Sequence, residues 1–169
     1  MRLLSFLLIA LISTSYSQTL IVEIKNSTGQ TAILYSLSGE KTQFVDSLKN
    51  KLPGQFALTD TKKLQAGFYR VVADKNKNVD FVYDNEDVNL LTDVGSILDS
   101  MQVISSESNK LYYRFLKLNK NFKIKSELLN LILARYPKEN DYYLTTKQTL
   151  FKLQDEYREF VNIASQKNP

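Results

Sequence analysis

The amino-acid sequence predicts a mainly β protein with an α appendage: an antiparallel β-sandwich or barrel-like domain followed by a two-helix antiparallel hairpin. Three observations predict it. Short β-branched and aromatic runs recur roughly every 10 residues as far as Ile104, split by Gly, Asn and Asp. Beyond Ser105 the apolar period changes from two to between three and four. The chain has 169 residues and no Cys, so its core must come from apolar packing and not from disulfides.

The strands follow in order. Leu20, Val22 and Ile24 alternate with Ile21, Glu23 and Lys25, the pattern of a half-buried strand. Asn26-Ser27-Thr28-Gly29 supplies turn residues, and Thr31 to Leu37 reads as the next strand. Ser38-Gly39-Glu40 turns into Thr42 to Leu48, and Pro53-Gly54 turns into Gln55 to Thr59. Gly67 precedes a strand from Phe68 to Ala73. The polar stretch Asp74 to Asn78 leads to Val79 to Tyr83, and Asn85-Glu86 leads to Val88 to Thr92. A last short strand runs from Met101 to Ile104.

The helices then take over. Leu111, Phe115, Leu118, Phe122, Leu129, Ile132 and Tyr136 step by threes and fours, with Lys125 in the one missing place. Ser105-Ser106-Glu107 offers cap candidates and an acid for the first turn, and Pro137 stops the helix. Tyr143, Thr146, Leu150, Leu153, Tyr157, Phe160 and Ala164 form the matching seam of a second helix, capped by Asn140 or Asp141. A short Tyr-Pro-Lys-Glu link makes the two an antiparallel hairpin.

The N-terminus reads as an export signal. Met1-Arg2 is a basic start, Leu3 to Ile12 is apolar but for Ser5, and small residues stand at Ser15 and Ser17. A membrane span needs about 20 apolar residues, more than this run supplies. Cleavage is expected between Ser17 and Gln18, and with no Cys the chain is not expected to be a lipoprotein. The expected organisation is a signal peptide over 1–17, a β domain over 18–104 and a helical hairpin over 105–169. A periplasmic or secreted location follows, with no integral membrane segment after cleavage and no nucleic-acid role.

Composition removes reaction classes. Without Cys there is no thiolate nucleophile, zinc–cysteine site or iron–sulfur cluster, and without His there is no His-based triad. No Gly-rich phosphate loop or G-x-S-x-G elbow is present, and Ser47-Leu48-Lys49 and Ser108-Asn109-Lys110 miss the S-x-x-K spacing. The expectation is therefore a non-enzyme with no cofactor and no metal site.

Charge divides with the elements. Residues 18–104 hold nine basic and eleven acidic side chains, whereas residues 105–169 hold twelve and seven. Lys110, Arg114, Lys117, Lys120, Lys123 and Lys125 run without an intervening acid. One reading is a patch for anionic lipid, polysaccharide or an acidic partner. The other is a solvated face, with Lys117 and Lys120 set opposite Asp155, Glu156 and Glu159 across the hairpin; the small energies of exposed pairs favour it. A binding surface, if present, is expected at Lys110, Tyr113, Arg114 and Lys117.

Four other features are weighed against plain structural roles. Asp74 to Asp80 resembles the start of a calcium loop, but Val79 stands where Gly is needed and Asn85 where a Glu is needed, so a polar turn is preferred. Asp84-Asn85-Glu86-Asp87 could hold a carboxylate dyad, but a solvated turn is the simpler reading. Asn26-Ser27-Thr28 is a glycosylation sequon that also suits a hairpin turn. The tyrosines, among them Tyr69, Tyr83, Tyr112, Tyr113, Tyr136, Tyr142, Tyr143 and Tyr157, suit a sheet–helix seam. Adjacent Tyr112 and Tyr113 cannot both face it, so one is left free to bind.

Gly67 to Arg70, the Phe81 to Leu90 stretch and the Val103 to Tyr113 junction together resemble a family of exported modules. It is the uncharacterised N-terminal β-sandwich domain of periplasmic thioredoxin-like thiol–disulfide oxidoreductases of the AhpC/TSA and TlpA type. The resemblance extends from roughly Thr19 to Ala164 and implies a thioredoxin fold with C-x-x-C after the helices. This chain has no Cys, so no catalytic residue carries over. It is either a stand-alone relative or the front part of a longer or interrupted gene.

The expected function is thus an exported, non-catalytic interaction module that meets a protein partner or itself through the helical hairpin. One alternative is the docking or dimerisation part of a thiol–disulfide oxidoreductase. Another is an envelope sandwich binding glycan or lipid, which requires an exposed aromatic face on the sheet.

Overall fold

A computed structural model of the chain describes residues 18–58, 60–74 and 77–167. The expected export segment, residues 1–17, lies outside them, as do Lys75 and Asn76 of the calcium-like stretch. All eight expected strands form: β1 (Leu20–Lys25), β2 (Thr31–Ser38), β3 (Lys41–Leu52), β4 (Gln55–Leu58), β5 (Gly67–Asp74), β6 (Lys77–Tyr83), β7 (Val88–Asp93) and β8 (Gln102–Ser105). A short helix α1 (Ile97–Ser100) precedes β8, and α2 (Glu107–Arg135) and α3 (Asp141–Lys167) follow it.

The strands make one mixed sheet in the order β6-β5-β2-β3-β4-β1-β7-β8, curled into a half-barrel. Every ladder but one is antiparallel among the described residues. The exception is β1 with β7, which run parallel from Leu20 opposite Val88 to Lys25 opposite Asp93. Strand β3 joins the two halves of the sheet: Lys41 to Lys49 pair with β2, and Asn50 and Leu52 pair with β4. The register shifts in both ladders, which lets so long a strand bend. Gly54 makes the β3–β4 turn possible. Its φ is +77°, and a Cβ there would lie 2.4 Å from the Ile24 carbonyl oxygen.

Alternation puts Leu20, Val22, Ile24, Leu34, Phe56, Val71, Val79, Phe81, Val88 and Leu90 on the inner face, all fully buried. The two end strands, β6 and β8, both lie against α2, so this helix fills the opening of the curl. Helix α3 packs along the other side of α2. The expected helix seam is observed as far as Ile132: from Leu111 its apolar members are half-buried, as are Tyr143, Leu153, Tyr157 and Phe160, while Thr146 and Leu150 are buried. Tyr136, expected to close the seam, is exposed and meets Tyr142 edge-on. Phe122 stacks on Tyr157 at 4.4 Å between ring centroids, which fixes the antiparallel register. Lys125, the gap in the seam, is exposed. Asn140 is the cap of α3, its Oδ1 accepting from the Tyr142 amide at 2.8 Å.

Candidate functional site

The start of α2 is fixed by carboxylates from the acidic turn. Glu86 accepts from the Ser106 hydroxyl at 2.5 Å and from the amides of Glu107 and Ser108, each at 3.1 Å. These are amides that a helix leaves unpaired at its N-terminus. Burial alone would raise the Glu86 carboxyl, but these hydrogen bonds outweigh it and hold the group below the usual carboxylate range. Asp84 accepts from the Ser108 hydroxyl, and Asp87 accepts from the Thr19 amide at 2.7 Å. Each carboxylate of the turn thus caps a neighbouring segment. Ser106 has φ +97°, an uncommon value for a residue with a side chain, and its hydroxyl oxygen also accepts from the Asn109 amide.

One turn further on, α2 seals the edge of β6. Asn109 is fully buried, its Oδ1 accepting from the Val82 amide at 2.9 Å and its Nδ2 donating to the Val82 carbonyl at 2.7 Å. The side chain thus imitates a neighbouring strand for one residue. Tyr113, four residues on, donates its hydroxyl to the Asp80 carbonyl at 2.6 Å. Its ring is 5% exposed, and burial pushes its phenol up, so it stays protonated at any ordinary pH.

The four residues expected to form a surface site do come together. Lys110, Tyr113, Arg114 and Lys117, with Met101 and Val103, line a shallow depression of about 390 Å³ between α2 and β8. Tyr113 is not on the surface, however: as a core residue it forms the inner wall, and Tyr112 is the more accessible of the pair. Lys117 donates from Nζ to the Met101 carbonyl at 2.9 Å, and Arg114 lies over the Phe160 ring at 5.0 Å. Lys110 pairs with Glu107 at 2.6 Å.

The expected pairing of Lys117 and Lys120 with acids of the second helix does not occur. Lys120 instead bridges to Asp99 of α1 at 2.7 Å, and Asp155 pairs with Arg158 of its own helix. The reason is that α1, unexpected from the sequence, brings an acid to the sheet-facing side of α2.

Beyond Lys120 the helix outruns the sheet. Asn109, Tyr113, Lys117 and Lys120 lie on one stripe at helical spacing, and Ile124, Leu128 and Leu131 continue it. The first part meets the sheet and α1. The second has no covering element: Ile124 is 47% exposed, Leu128 59% and Leu131 50%. Beside it runs a groove of about 360 Å³ between the two helices, with Leu128, Leu129 and Leu153 as apolar lining and Lys125, Lys152 and Glu156 among its polar lining.

A second uncovered face lies on the outside of the sheet. Phe44, Tyr35, Arg70 and Asp80 are consecutive partners across β3, β2, β5 and β6, and Leu37 and Phe68 pair in the adjacent row. Phe44 is 65% exposed and Phe68 47%. Tyr112 meets Phe68 edge-on at 5.6 Å. Arg70 holds Asp80 through two parallel bonds of 2.6 and 2.7 Å.

Among the described residues no three acids converge on a common point. No helix among them is long and apolar enough to cross a membrane. The family model of DUF4369, a domain of unknown function, matches residues 19–112, and the chain belongs to that family. The matched stretch takes in the whole sheet and α2 as far as Tyr112. No curated protein and no solved structure matches the chain.

Proposed function

We propose that this DUF4369 protein is an exported, non-catalytic interaction module whose curled sheet anchors a helical arm for contact with a protein partner. The observation that carries the reading is the stripe of Ile124, Leu128 and Leu131, which is apolar and roughly half exposed. Patches of this kind on soluble proteins mark contact sites. The N-terminal Met1 to Ser17 pattern supports export.

Two measurements test the reading. N-terminal sequencing of the protein from its native envelope should return Gln18 as the first residue; Met1 would remove the export step. A photo-reactive side chain placed at Leu131 should capture a defined protein in the native cell, while one at Lys49, exposed on β3, should not. Equal labelling from both positions would remove the arm as the contact element.

The resemblance of Gly67–Arg70, Phe81–Leu90 and Val103–Tyr113 to modules preceding thioredoxin-like folds supports a narrower form of the proposal. In it, the arm serves docking or dimerisation for a thiol–disulfide oxidoreductase. A C-x-x-C coding region downstream of the codon for Pro169 would support this form, and unrelated sequence would remove it.

The outer sheet face favours a second reading, a glycan-binding surface. Tyr35, Phe44, Phe68 and Tyr112 offer ring faces beside an Arg70–Asp80 pair able to meet hydroxyl groups. Retention on an insoluble envelope polysaccharide, lost in Phe44→Ala/Phe68→Ala, would support it; unchanged retention in the double variant would remove it.

A further inference from the structure

The interhelical groove narrows the interaction reading, on which the following rests, to one kind of partner. We infer that the groove between the distal halves of α2 and α3 receives a third, amphipathic helix from a protein partner, with carboxylates flanking its apolar face.

The shape carries the first part. Two antiparallel helices leave a furrow along their seam, and a helix can lay its own apolar ridge into it. Here Leu129 and Leu153 lie half-buried along the furrow and Leu128 stands at its side. The exposed stripe from Ile124 to Leu131 spans roughly 10 Å of helix, enough for two turns of a partner.

The charge carries the second part. Ion pairs among the described residues join Arg70 with Asp80, Lys110 with Glu107, Lys120 with Asp99, and Arg158 with Asp155. Lys125 and Lys152, both exposed on the groove, therefore hold no carboxylate, and Glu156 is the one acid facing them there. The charged lining of the groove, Lys125, Lys152 and Glu156, thus keeps a net positive charge. A second copy would bring an equal positive excess against the first, which disfavours self-pairing at this face. A flat bilayer cannot reach Leu129 and Leu153 within a furrow. An acidic amphipathic helix satisfies both the apolar lining and the free lysines.

The test uses the mature chain and two designed 18-residue helical peptides. Both carry Leu at i, i+3, i+4 and i+7; one has Glu flanks and the other Lys flanks. The Glu peptide should bind by fluorescence anisotropy, with the Lys peptide weaker by roughly tenfold. Lys125→Glu/Lys152→Glu should reverse that order, and Leu128→Glu should remove binding of both without lowering the melting temperature. Four results overturn the inference: no binding of the Glu peptide, a preference unmoved by the charge reversal, concentration-dependent dimers lost in Leu128→Glu, or vesicle binding lost in that variant. Capture of a protein through Leu131 while neither peptide binds would leave the interaction reading standing and remove this one.

Discussion

The two halves of α2 differ in their residues and in their surroundings. From Asn109 to Lys120 one side of the helix is spent on the sheet and α1, through four side chains that each reach a named partner. From Ile124 to Leu131 the same side is more apolar and roughly half exposed. The ordinary expectation is the reverse, with the apolar half buried and the polar half wet. The proximal half is polar because it faces strand edges, whose backbone groups need hydrogen-bond partners. The distal half faces no strand edge, and its apolar side chains are left about half exposed.

Substitutions along the helix should therefore separate stability from binding. Tyr113→Ala removes a buried ring and leaves the Asp80 carbonyl without its donor, and should cost about 3–5 kcal/mol in urea unfolding. Asn109→Ala orphans both the amide and the carbonyl of Val82 and should cost about 2–3 kcal/mol, with faster amide exchange confined at first to β6. Glu86→Gln weakens the cap and should cost about 1 kcal/mol at neutral pH. Because the folded Glu86 carboxyl lies below its unfolded value, its stabilisation is present above about pH 4.3 and is lost as pH falls through the folded value. Glu86→Gln should accordingly flatten that acid limb of the stability curve. Leu128→Ser should move stability by less than about 0.5 kcal/mol, since the side chain is largely in water already. A large loss from Leu128→Ser would mean that the distal half is packed after all.

Much of the scaffold was readable in the residues. Each strand carries its own alternation or turn chemistry, and the α2–α3 seam repeats without a break apart from Lys125. What local pattern cannot carry is partnership at a distance. The parallel pairing of β1 with β7 joins residues 68 positions apart and leaves no mark on either strand. Helix α1 is one turn long, too short for any period, and so the Lys120–Asp99 pair was invisible. The roles of Glu86 and Asn109 also escaped notice. A lone acid in a polar turn and a lone Asn inside a helix have many uses, although Asn109 four residues before Tyr113 does place two polar groups on one face. Lys110, Tyr113, Arg114 and Lys117 do fall in one neighbourhood, as helical spacing requires. Tyr113, expected at the surface, is instead buried, its hydroxyl serving the edge of β6.

The position of β1 has a consequence for the order of folding. It is the first strand made, yet it sits between β4 and β7, while its neighbour in sequence, β2, pairs elsewhere. Hairpins such as β2–β3 and β5–β6 can close as soon as they are synthesised. The parallel ladder of β1 must wait until Val88–Asp93 exists, across a long loop that costs entropy to close. One edge of β1 stays open for that time, although its other edge can pair with β4 once Gln55–Leu58 exists. The parallel edge of β1 thus closes late, after residues far along the chain have been made.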